Sequence, residues 1–146
     1  MPEEITLKVK KIHPDAIIPS YAHAGDAGMD LYSYEDGVLQ PGERRLFKTG
    51  LNVEIPFGYE MQIRSRSGLA LKNGIIVLNS PGTIDAGYSG ELGIILVNHG
   101  KEAYEIKKGD KIAQGKISKV EQVEIKVVEE LSETSRGEGG FGSTGN

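Results

Sequence analysis

Short strand-like runs separated by turn pairs occupy most of this chain and restrict what it can fold into more than any other feature. Ile5, Leu7 and Val9 alternate with polar residues, which is the period-two pattern of a half-buried strand. Similar runs of apolar and β-branched residues recur at Arg45–Lys48, Leu51–Ile55, Glu60–Ile63, Ile75–Leu78, Leu92–Asn98, Tyr104–Lys107, Ile112–Lys119 and Val123–Val128. Pairs typical of turns separate them, at Pro41-Gly42, Phe57-Gly58, Asn73-Gly74, Pro81-Gly82 and His99-Gly100.

This spacing leaves little room for helices, and only Leu69–Lys72 offers a helical turn. The run Ile94–Val97 has few polar alternates, as expected of a strand that is covered on both faces by core or by neighbours. Many short strands with frequent turns are typical of antiparallel β architectures. The pattern therefore predicts an all-β barrel or sandwich of the jelly-roll kind.

The last stretch of the chain, residues 129–146, differs in composition from the rest. It reads EELSETSRGEGGFGSTGN and has too little apolar surface to offset the entropy of ordering it. We therefore predict a β-barrel domain at residues 1–128 followed by a flexible arm. Arg136 and Phe141 complicate this interpretation, because a guanidinium binds phosphate and an aromatic ring stacks on a base. The arm is either a solvated tail or a lid that folds over a ligand.

Composition excludes several classes of protein. The chain has no cysteine, which rules out disulfides and thiolate zinc sites, so any metal must use oxygen or histidine ligands. A formal net charge of -4 argues against a general nucleic-acid binder, whose surface needs an excess of lysine and arginine. The N-terminal residues lack an apolar signal region and no stretch reaches transmembrane length, so we expect a cytoplasmic protein that binds no membrane.

Glycine and ionisable residues concentrate in four islands that a plain strand-and-turn protein would not need. The islands are residues 24–31 (AGDAGMDL), 64–70 (RSRSGLA), 79–90 (NSPGTIDAGYSG) and 109–114 (GDKIAQ). Together with the arm, and in this order, they resemble the five motifs of the trimeric dUTP pyrophosphatase (dUTPase) family. The resemblance spans nearly the whole chain, and the ordered set is highly specific although each motif is weak alone.

The resemblance implies a magnesium-dependent hydrolase that converts dUTP to dUMP and pyrophosphate, keeping uracil out of DNA and supplying dUMP for thymidylate synthesis. It also implies a homotrimer with shared active sites, in which one chain supplies the third motif and another its C-terminal arm. Attack of water on a triphosphate requires cationic groups, a metal and a carboxylate that holds the water. The islands contain side chains suited to all three requirements.

Asp85 is the candidate catalytic residue. It lies in a turn, from which a loop can direct it toward a ligand, although an aspartate before Ala-Gly is also a common turn residue. By resemblance, Asp85 orients the attacking water and contacts the sugar 3′-hydroxyl. Its loss should reduce turnover far more than the loss of Phe141, which should hurt turnover without abolishing it.

The same island contains the candidate nucleoside-binding residues. By resemblance, Asn79, with Thr83 and Ile84 of the same hairpin, contacts the uracil edge and excludes the methyl group of thymine. The same resemblance implies that Tyr88 lies under the deoxyribose and leaves no room for a 2′-hydroxyl, although from the sequence it could be only a half-buried strand residue. Gly93 replaces a larger nucleotide-contacting residue of many relatives, so any contact there has to come from the backbone.

Arg66, Ser67 and Gly68 fit a phosphate site, because they provide a guanidinium, a hydroxyl and an approachable amide. A helix start capped by Ser67 is the structural alternative. Gln114 resembles the fourth-motif glutamine that bonds to phosphate or ordered water, and otherwise reads as an outward-facing strand residue. The residues before Arg66 depart from the family, which commonly has proline there, and Arg64 is either a second cation or a surface residue.

Asp30 resembles the first-motif aspartate, which reaches magnesium through water while the substrate phosphates hold most of the ion. This arrangement suits a hard cation that keeps part of its hydration shell. In the arm, the resemblance implies that Arg136 contacts the γ-phosphate and Phe141 stacks on uracil. The residues that would wrap the phosphates are Gly142, Ser143 and Thr144.

Two other functions stay open at the level of sequence. A dCTP deaminase, alone or combined with dUTP hydrolysis, shares the fold and the trimeric plan, but it would need a deaminating glutamate with a supporting arginine. No matching pattern surrounds Arg66. A jelly-roll binding module without turnover fits glycine-rich turns and a polar tail equally well. The presence of Asp30, Asp85 and two phosphate-type arginines in matched motifs favours the hydrolase.

Overall fold

The computed structural model describes residues 4–145 and confirms the predicted all-β, jelly-roll-like fold. Within those residues it contains ten β-strands and one short helix. In chain order they are β1 (Lys8–Lys11), β2 (Met29–Tyr32), β3 (Gly37–Leu39), β4 (Arg44–Glu54), β5 (Tyr59–Arg64), α1 (Ser67–Asn73), β6 (Ile75–Val77), β7 (Gly82–Ile84), β8 (Glu91–Asn98), β9 (Tyr104–Ile106) and β10 (Lys111–Lys119). No helix in the described part of the chain has the length and hydropathy needed to cross a membrane.

Two four-stranded antiparallel sheets and one two-stranded sheet make up the fold. The first has the strand order β1-β4-β8-β6, the second has the order β2-β10-β5-β7, and β3 pairs with β9. A single cluster of buried apolar side chains, drawn from all three sheets, forms the core. Phe47, Met61 and Leu92 are 0% exposed. Burial of a side chain of this size stabilises the fold by about 1.5–3 kcal/mol.

Strand β4 combines two strands that the sequence predicts separately. The runs Arg45–Lys48 and Leu51–Ile55 are joined without a turn, because a β-bulge accommodates the residues between them. The pairing of β4 with β8 shifts register between Lys48 and Asn52, and Gly50 has a left-handed φ of 75° within this interval. A bulge adds a residue to one strand and bends it locally. The bulge lies opposite the start of β8, just after the third glycine island.

Three short strands leave no clear signal in the sequence. Strands β2 and β3 lack a clear alternation of apolar and polar residues, and β7 begins within the Pro81-Gly82 pair that predicts a turn. Each acquires strand geometry from a partner, since β2 pairs with β10, β3 with β9 and β7 with β5. Strand formation depends more on tertiary neighbours than on local propensity, so strands of this length are easily missed.

The predicted strand at Val123–Val128 is wrong for the single chain. This segment has neither strand nor helix, and the side chains of Val123, Ile125 and Val127 are 77%, 87% and 95% exposed. The alternation is that of a strand, but a strand also needs an edge to pair with and a surface that covers its apolar face. Neither is supplied by the described residues. The last strand ends at Lys119, before the predicted domain boundary.

Helix α1 begins earlier than predicted and lacks a serine cap. Arg66 occupies the N-cap position without a side-chain capping bond, so the capping alternative for Ser67 is wrong. Gly74 ends the helix in a left-handed conformation with a φ of 69°, and backbone N–H groups at this cap donate to the Ala70 and Leu69 carbonyls. Glycine accepts this conformation without a steric penalty. The exposed first turn of α1 thus begins directly after β5.

A surface cluster holds the turn that precedes β10. Asp15 accepts a hydrogen bond of 2.7 Å from the Tyr34 hydroxyl and pairs with the Lys108 ammonium, which lies 4.2 Å from the centre of the Tyr34 ring. His13 stacks on the same ring, with 4.3 Å between the ring centres. The hydrogen bond from Lys108 lowers the pKa of the Asp15 carboxyl to about 2. These contacts hold the N-terminal segment against the turn at residues 107–110. This turn contains the start of the fourth island and leads directly into β10.

Candidate active site

The first, second and fourth islands meet in the sheet that contains β2, β10 and β5. Asp30 and Arg64 both pair with Gln114 from the strands on either side of it, so the three residues form one row across the sheet. The Gln114 Nε2 lies 3.5 Å from Asp30 Oδ1, and Asp30 is only 5% exposed. A Cβ at Gly28 would be 3.2 Å from Gln114 Oε1, so glycine leaves room for this side chain. The structure thus brings the predicted metal-directed carboxylate next to the predicted phosphate-binding glutamine.

Lys111 places a cation beside this carboxylate. Its Nζ is 3.5 Å from Asp30 Oδ2, and its side chain is 44% exposed. Because a buried carboxylate is costly unless it is paired, Lys111 and the Gln114 amide compensate Asp30 within the chain. Nothing in the sequence distinguishes Lys111 from an ordinary turn residue, although it lies inside the fourth island. Its place in the site emerges only from the pairing of β10 with β2.

Arg66 joins the second island to the fourth. Its guanidinium donates a hydrogen bond of 3.1 Å to the Lys111 carbonyl oxygen. Ser67 and Gly68 follow at the exposed start of α1, and a Cβ at Gly68 would meet nothing within 4 Å. Arg66, Ser67 and Gly68 therefore form an accessible corner next to the row of Asp30 and Gln114, as the phosphate-site prediction requires.

The third island forms a hairpin at the opposite edge of the same sheet. After the exposed Asn79, a cis Ser80–Pro81 peptide bond leads into β7, which pairs with β5. The Asn79 Nδ2 is 3.4 Å from the position that a Cβ would take on Gly82, so this amide lies against the first residue of β7. Thr83 is exposed and Ile84 is half-buried. The predicted base-contacting residues are thus accessible along one hairpin.

Asp85 and Tyr88 lie in the turn that follows β7. The Tyr88 N–H donates a 3.1 Å hydrogen bond to the Asp85 carbonyl oxygen, and the Tyr88 hydroxyl donates one of 2.8 Å to the Glu91 carbonyl oxygen. The Asp85 carboxylate is exposed, and the Tyr88 ring is 45% exposed. A groove of about 420 Å³ lies between this turn and residues 53–57, with Tyr88 in its wall. Both side chains are accessible to a ligand.

Within one chain, Asp85 lies far from the phosphate-type residues. Ile84 pairs with Met61 near the start of β5, whereas Gln114 pairs with Arg64 at its end. Successive residues of a strand advance about 3.3 Å, and Met61 and Arg64 are three residues apart on β5. The row of Ile84, which precedes Asp85, is therefore roughly 10 Å or more from the row of Gln114. The candidate water-holding carboxylate is therefore separated from the candidate phosphate-binding cations by roughly 10 Å or more along the direction of β5. The chain alone does not bring all the predicted residues together.

The arm carries its predicted site residues on an exposed segment. Arg136 Nε donates a 2.7 Å hydrogen bond to the Gly139 carbonyl oxygen and closes a local turn. Phe141 has a fully exposed ring and a left-handed φ of 47°, a conformation that aromatic residues rarely adopt. None of residues 129–145 is buried, so the chain by itself gives the arm no docked position. The other exposed residues of the predicted lid are Gly142, Ser143 and Thr144.

The ordered islands and the fold both have counterparts in known proteins. A family model described as dUTPase matches residues 14–145. This chain belongs to the dUTPase family. Two curated relatives are both named deoxyuridine 5'-triphosphate nucleotidohydrolase. The relative from Clostridium tetani is 58% identical over 142 residues, covering 97% of this chain and 98% of the relative. The relative from Nautilia profundicola is 60% identical over 139 residues, covering 95% and 98%.

Solved dUTPase structures share the architecture of this family member. The dUTPase of Staphylococcus bacteriophage 80alpha with dUPNHPP gives a TM-score of 0.89 at 36% identity, covering 97% of this chain and 99% of the phage chain. A mutant dUTPase from phage phi11 of S. aureus, described with a structural Mg(II) ion, gives 0.80 at 35% identity, covering 86% and 98%. The resemblance to the dUTPase family is thereby confirmed.

The residues that depart from the dUTPase pattern before Arg66 have structural partners in this chain. Arg64 is exposed and donates a 2.9 Å hydrogen bond to Gln62 Oε1 on the same strand. The Ser65 hydroxyl accepts a 2.8 Å hydrogen bond from the Val77 N–H of β6. This bond attaches the loop between β5 and α1 to strand β6. Arg64 therefore has the contacts of a surface residue, while Ser65 holds the loop that carries Arg66.

Gly93 lies in β8 beside the tip of the Leu46 side chain. It pairs with Lys48 of β4, and a Cβ at this position would lie 2.7 Å from Leu46 Cδ1. Leu46 is 51% exposed, so its side chain can turn aside and the packing does not by itself require glycine here. The predicted backbone contact with nucleotide stays a prediction.

Proposed function

We infer that this dUTPase-family protein hydrolyses dUTP to dUMP and pyrophosphate. The observation that carries this inference is its identity of 58% and 60%, over nearly the whole chain, with relatives named deoxyuridine 5'-triphosphate nucleotidohydrolase. The sequence-based interpretation as a dUTP diphosphatase is thereby confirmed. The reaction keeps uracil out of DNA and supplies dUMP for thymidylate synthesis. We place it in the cytoplasm, as the sequence predicts.

We assign the triphosphate to the corner between the second and fourth islands. Arg66 offers a guanidinium, Ser67 a hydroxyl and Gly68 a backbone amide in open space. Gln114 adds a side-chain amide donor, and Lys111 adds a second cation. Donors that are already in position stabilise charge as it develops on the phosphoryl oxygens and on the departing pyrophosphate.

We assign the attacking water to Asp85. Its exposed carboxylate can accept a hydrogen bond or a proton from water and so direct an oxygen lone pair toward the α-phosphorus. The new P–O bond forms as the bond to the α,β-bridging oxygen breaks, and that oxygen leaves with the pyrophosphate. A contact from the same carboxylate to the sugar 3′-hydroxyl would fix the nucleotide relative to the water.

We assign nucleoside recognition to the third island. Asn79 can both donate to and accept from the uracil edge, and Thr83 and Ile84 follow it in the same hairpin. Tyr88 presents a partly exposed ring beside a groove of about 420 Å³. In the proposed complex the deoxyribose packs on this ring, which leaves no space for a 2′-hydroxyl. A backbone contact from Gly93 completes the proposed set.

Magnesium fits the first island through a single carboxylate. Among residues 4–145, no group of three or more His, Cys, Asp or Glu side chains is arranged to bind a metal ion. Asp30 is buried and oriented by Gln114 and Lys111, which suits a contact through water to an ion held mainly by substrate phosphates. When bound, magnesium neutralises phosphate charge and polarises the phosphoryl oxygens.

We further propose that the protein is a homotrimer with shared active sites. Because the row next to Asp85 lies roughly 10 Å or more from the row of Gln114, one chain does not complete the site. A second copy can bring its third island to the phosphate corner of the first. This arrangement would place Asp85 of one chain and Arg66 of another on the same substrate.

Exposed apolar surface supports the same oligomeric proposal. The strand-like segment Val123–Val128 is uncovered in the single chain. A groove of about 720 Å³, lined mainly by apolar side chains, lies open at the second sheet, beside residues 5–7. Apolar surfaces of this kind are expected where another chain binds. The residues that line the groove are Ile5, Leu7, Tyr21, Met29, Pro56, Tyr59, Ile117 and Lys119.

We assign residues 129–146 as an active-site lid. Arg136 would bind the γ-phosphate and Phe141 would stack on uracil, while the glycines between them let the backbone fold over the ligand. The backbone and hydroxyls of residues 142–144 would then wrap the phosphates. The exposure of this segment in the single chain is what a lid without its ligand requires.

The Phe141→Ala variant should raise KM for dUTP about fivefold to a hundredfold, because stacking on a base contributes about 1–3 kcal/mol. The side chain is fully exposed, so its removal should leave the thermal unfolding midpoint unchanged. Steady-state kinetics with dUTP measure the effect. The Phe141→Tyr variant keeps the ring and serves as the matched control, with a KM near the parental value. A parental KM in the alanine variant would exclude stacking.

A nucleotide panel with product analysis tests the proposed function. With magnesium, the protein should release pyrophosphate from dUTP with a kcat/KM about a hundredfold or more above those for dTTP, dCTP and UTP. Comparable turnover of all four nucleotides would contradict the proposed specificity. Ammonia released from dCTP would instead indicate a deaminase, and binding of dUTP without any turnover would indicate a binding module.

A further inference from the structure

Gly90 lies directly against the Tyr88 ring. A Cβ on Gly90 would be 2.5 Å from the Tyr88 oxygen, 2.6 Å from Cζ and 2.9 Å from Cε1. Real Cβ atoms essentially never come this close to another heavy atom, so any side chain at this position would displace the outer half of the ring. The present position of the Tyr88 ring is therefore available only because residue 90 is glycine.

A hydrogen bond holds the ring in this position. The Tyr88 hydroxyl donates to the Glu91 carbonyl oxygen at 2.8 Å, which draws the tip of the ring back over Gly90. The Glu91 carboxylate in turn accepts a 2.9 Å hydrogen bond from the Gly50 N–H, within the bulge of β4. The acceptor of the tyrosine hydroxyl is thus anchored to the neighbouring strand.

The bulge also binds the turn that carries Tyr88. Asn52 donates a 3.1 Å hydrogen bond from its side-chain amide to the Ser89 carbonyl oxygen. The Thr49 hydroxyl donates one of 2.7 Å to the Leu92 carbonyl oxygen. Backbone on both sides of Gly90 is therefore fixed by β4, so a substitution there cannot be relieved by a shift of the turn without breaking these bonds.

We propose that Gly90 is a specificity-determining residue, which sets the position of the Tyr88 ring and thereby the discrimination of deoxyribose from ribose. This inference rests on the proposed function, in which the sugar lies on Tyr88. Gly90 acts through the ring and is a positioning residue. A displaced ring would fit deoxyribose less well and would no longer close off the space of a 2′-hydroxyl, and both effects lower the preference for dUTP over UTP.

A side chain at position 90 should displace the Tyr88 ring and leave the fold intact. Gly90 does not have a left-handed φ, so alanine can adopt its backbone conformation. The Tyr88 ring is 45% exposed and can move into solvent, whereas the backbone around it is bonded to β4. A Gly90→Ala variant is therefore expected to fold and to keep its thermal unfolding midpoint near the parental value.

The test compares kcat/KM for dUTP and UTP in Gly90→Ala and in the control Glu105→Gln, which lies at an exposed position of β9. The dUTP to UTP ratio should fall roughly tenfold or more in Gly90→Ala, since a misplacement of about 1 Å can cost 10²-fold. In the control the ratio should stay parental. An unchanged ratio in Gly90→Ala, or an equal fall in Glu105→Gln, would overturn the inference.

A double-mutant cycle separates this role from a general effect on the turn. In a Tyr88→Ala background the ring is absent, so Gly90→Ala should change the dUTP to UTP ratio by less than about twofold. A further fall comparable to that in the parental background would show that Gly90 does not act through Tyr88. Failure of the proposed function is distinguishable, because the parental protein itself would then show no turnover of dUTP or no preference over UTP.

Discussion

Replacing Asp85 with asparagine should lower kcat for dUTP by about 10²–10⁴-fold, because an amide cannot accept the proton of the attacking water. The side chain is exposed and nearly unchanged in shape, so no packing is lost and the thermal unfolding midpoint should stay close to the parental value. Binding of a non-hydrolysable dUTP analogue should persist within a few-fold, since the phosphates and the base have other contacts.

Single-turnover kinetics and equilibrium binding of the analogue measure these two effects separately. The control is Glu105→Gln, which removes the same charge at an exposed position of β9, away from the candidate site. Its kcat should be parental. If Asp85→Asn hydrolysed dUTP at the parental rate, Asp85 would not be the residue that activates the water, and the other carboxylate of the islands, Asp30, would have to be tested in its place.

Mixing two inactive variants should restore activity if the sites are shared between chains. Asp85→Asn removes the water-holding carboxylate and Arg66→Gln removes a phosphate-binding cation, and each homo-oligomer should be nearly inactive. In a mixed oligomer, an Asp85→Asn chain can supply an intact Arg66 to a site whose Asp85 comes from an Arg66→Gln chain. For random assembly at equal amounts, about a quarter of the sites are intact, so about a quarter of the parental rate should return.

The two variants are unfolded together and refolded as a mixture, so that mixed oligomers form. The activity of this mixture is compared with that of the two variants refolded separately. A chain that carries both substitutions, mixed with Asp85→Asn, is the control and should restore nothing, because every site then lacks its carboxylate. No recovery in the first mixture, with mixed oligomers present by mass, would contradict the shared-site proposal. It would require Asp85 and Arg66 to act within one chain, against the separation of their rows along β5.

The predictions from sequence succeeded where the information is local. Alternating residues and turn pairs predicted most of the longer strands. The ordered glycine islands predicted the dUTPase family, which the family model confirms, while the roles of their individual side chains stay predictions. The predictions from sequence failed where a strand depends on its partner. The short β2, β3 and β7 were missed, the bulge in β4 was taken for a break, and the Val123–Val128 strand has no partner among the described residues.

The sequence by itself determined an all-β fold and membership of the dUTPase family, because both follow from the identity and order of residues along the chain. Only the tertiary structure decided that Asp30, Gln114 and Arg64 share a row across the sheet. It also decided that Lys111 pairs with Asp30 and that Gly90 leaves room for the Tyr88 ring. The tertiary structure likewise placed Asp85 roughly 10 Å or more from the phosphate corner along the direction of β5. These relations depend on strand register between residues distant in sequence, and register is set by packing of the whole core.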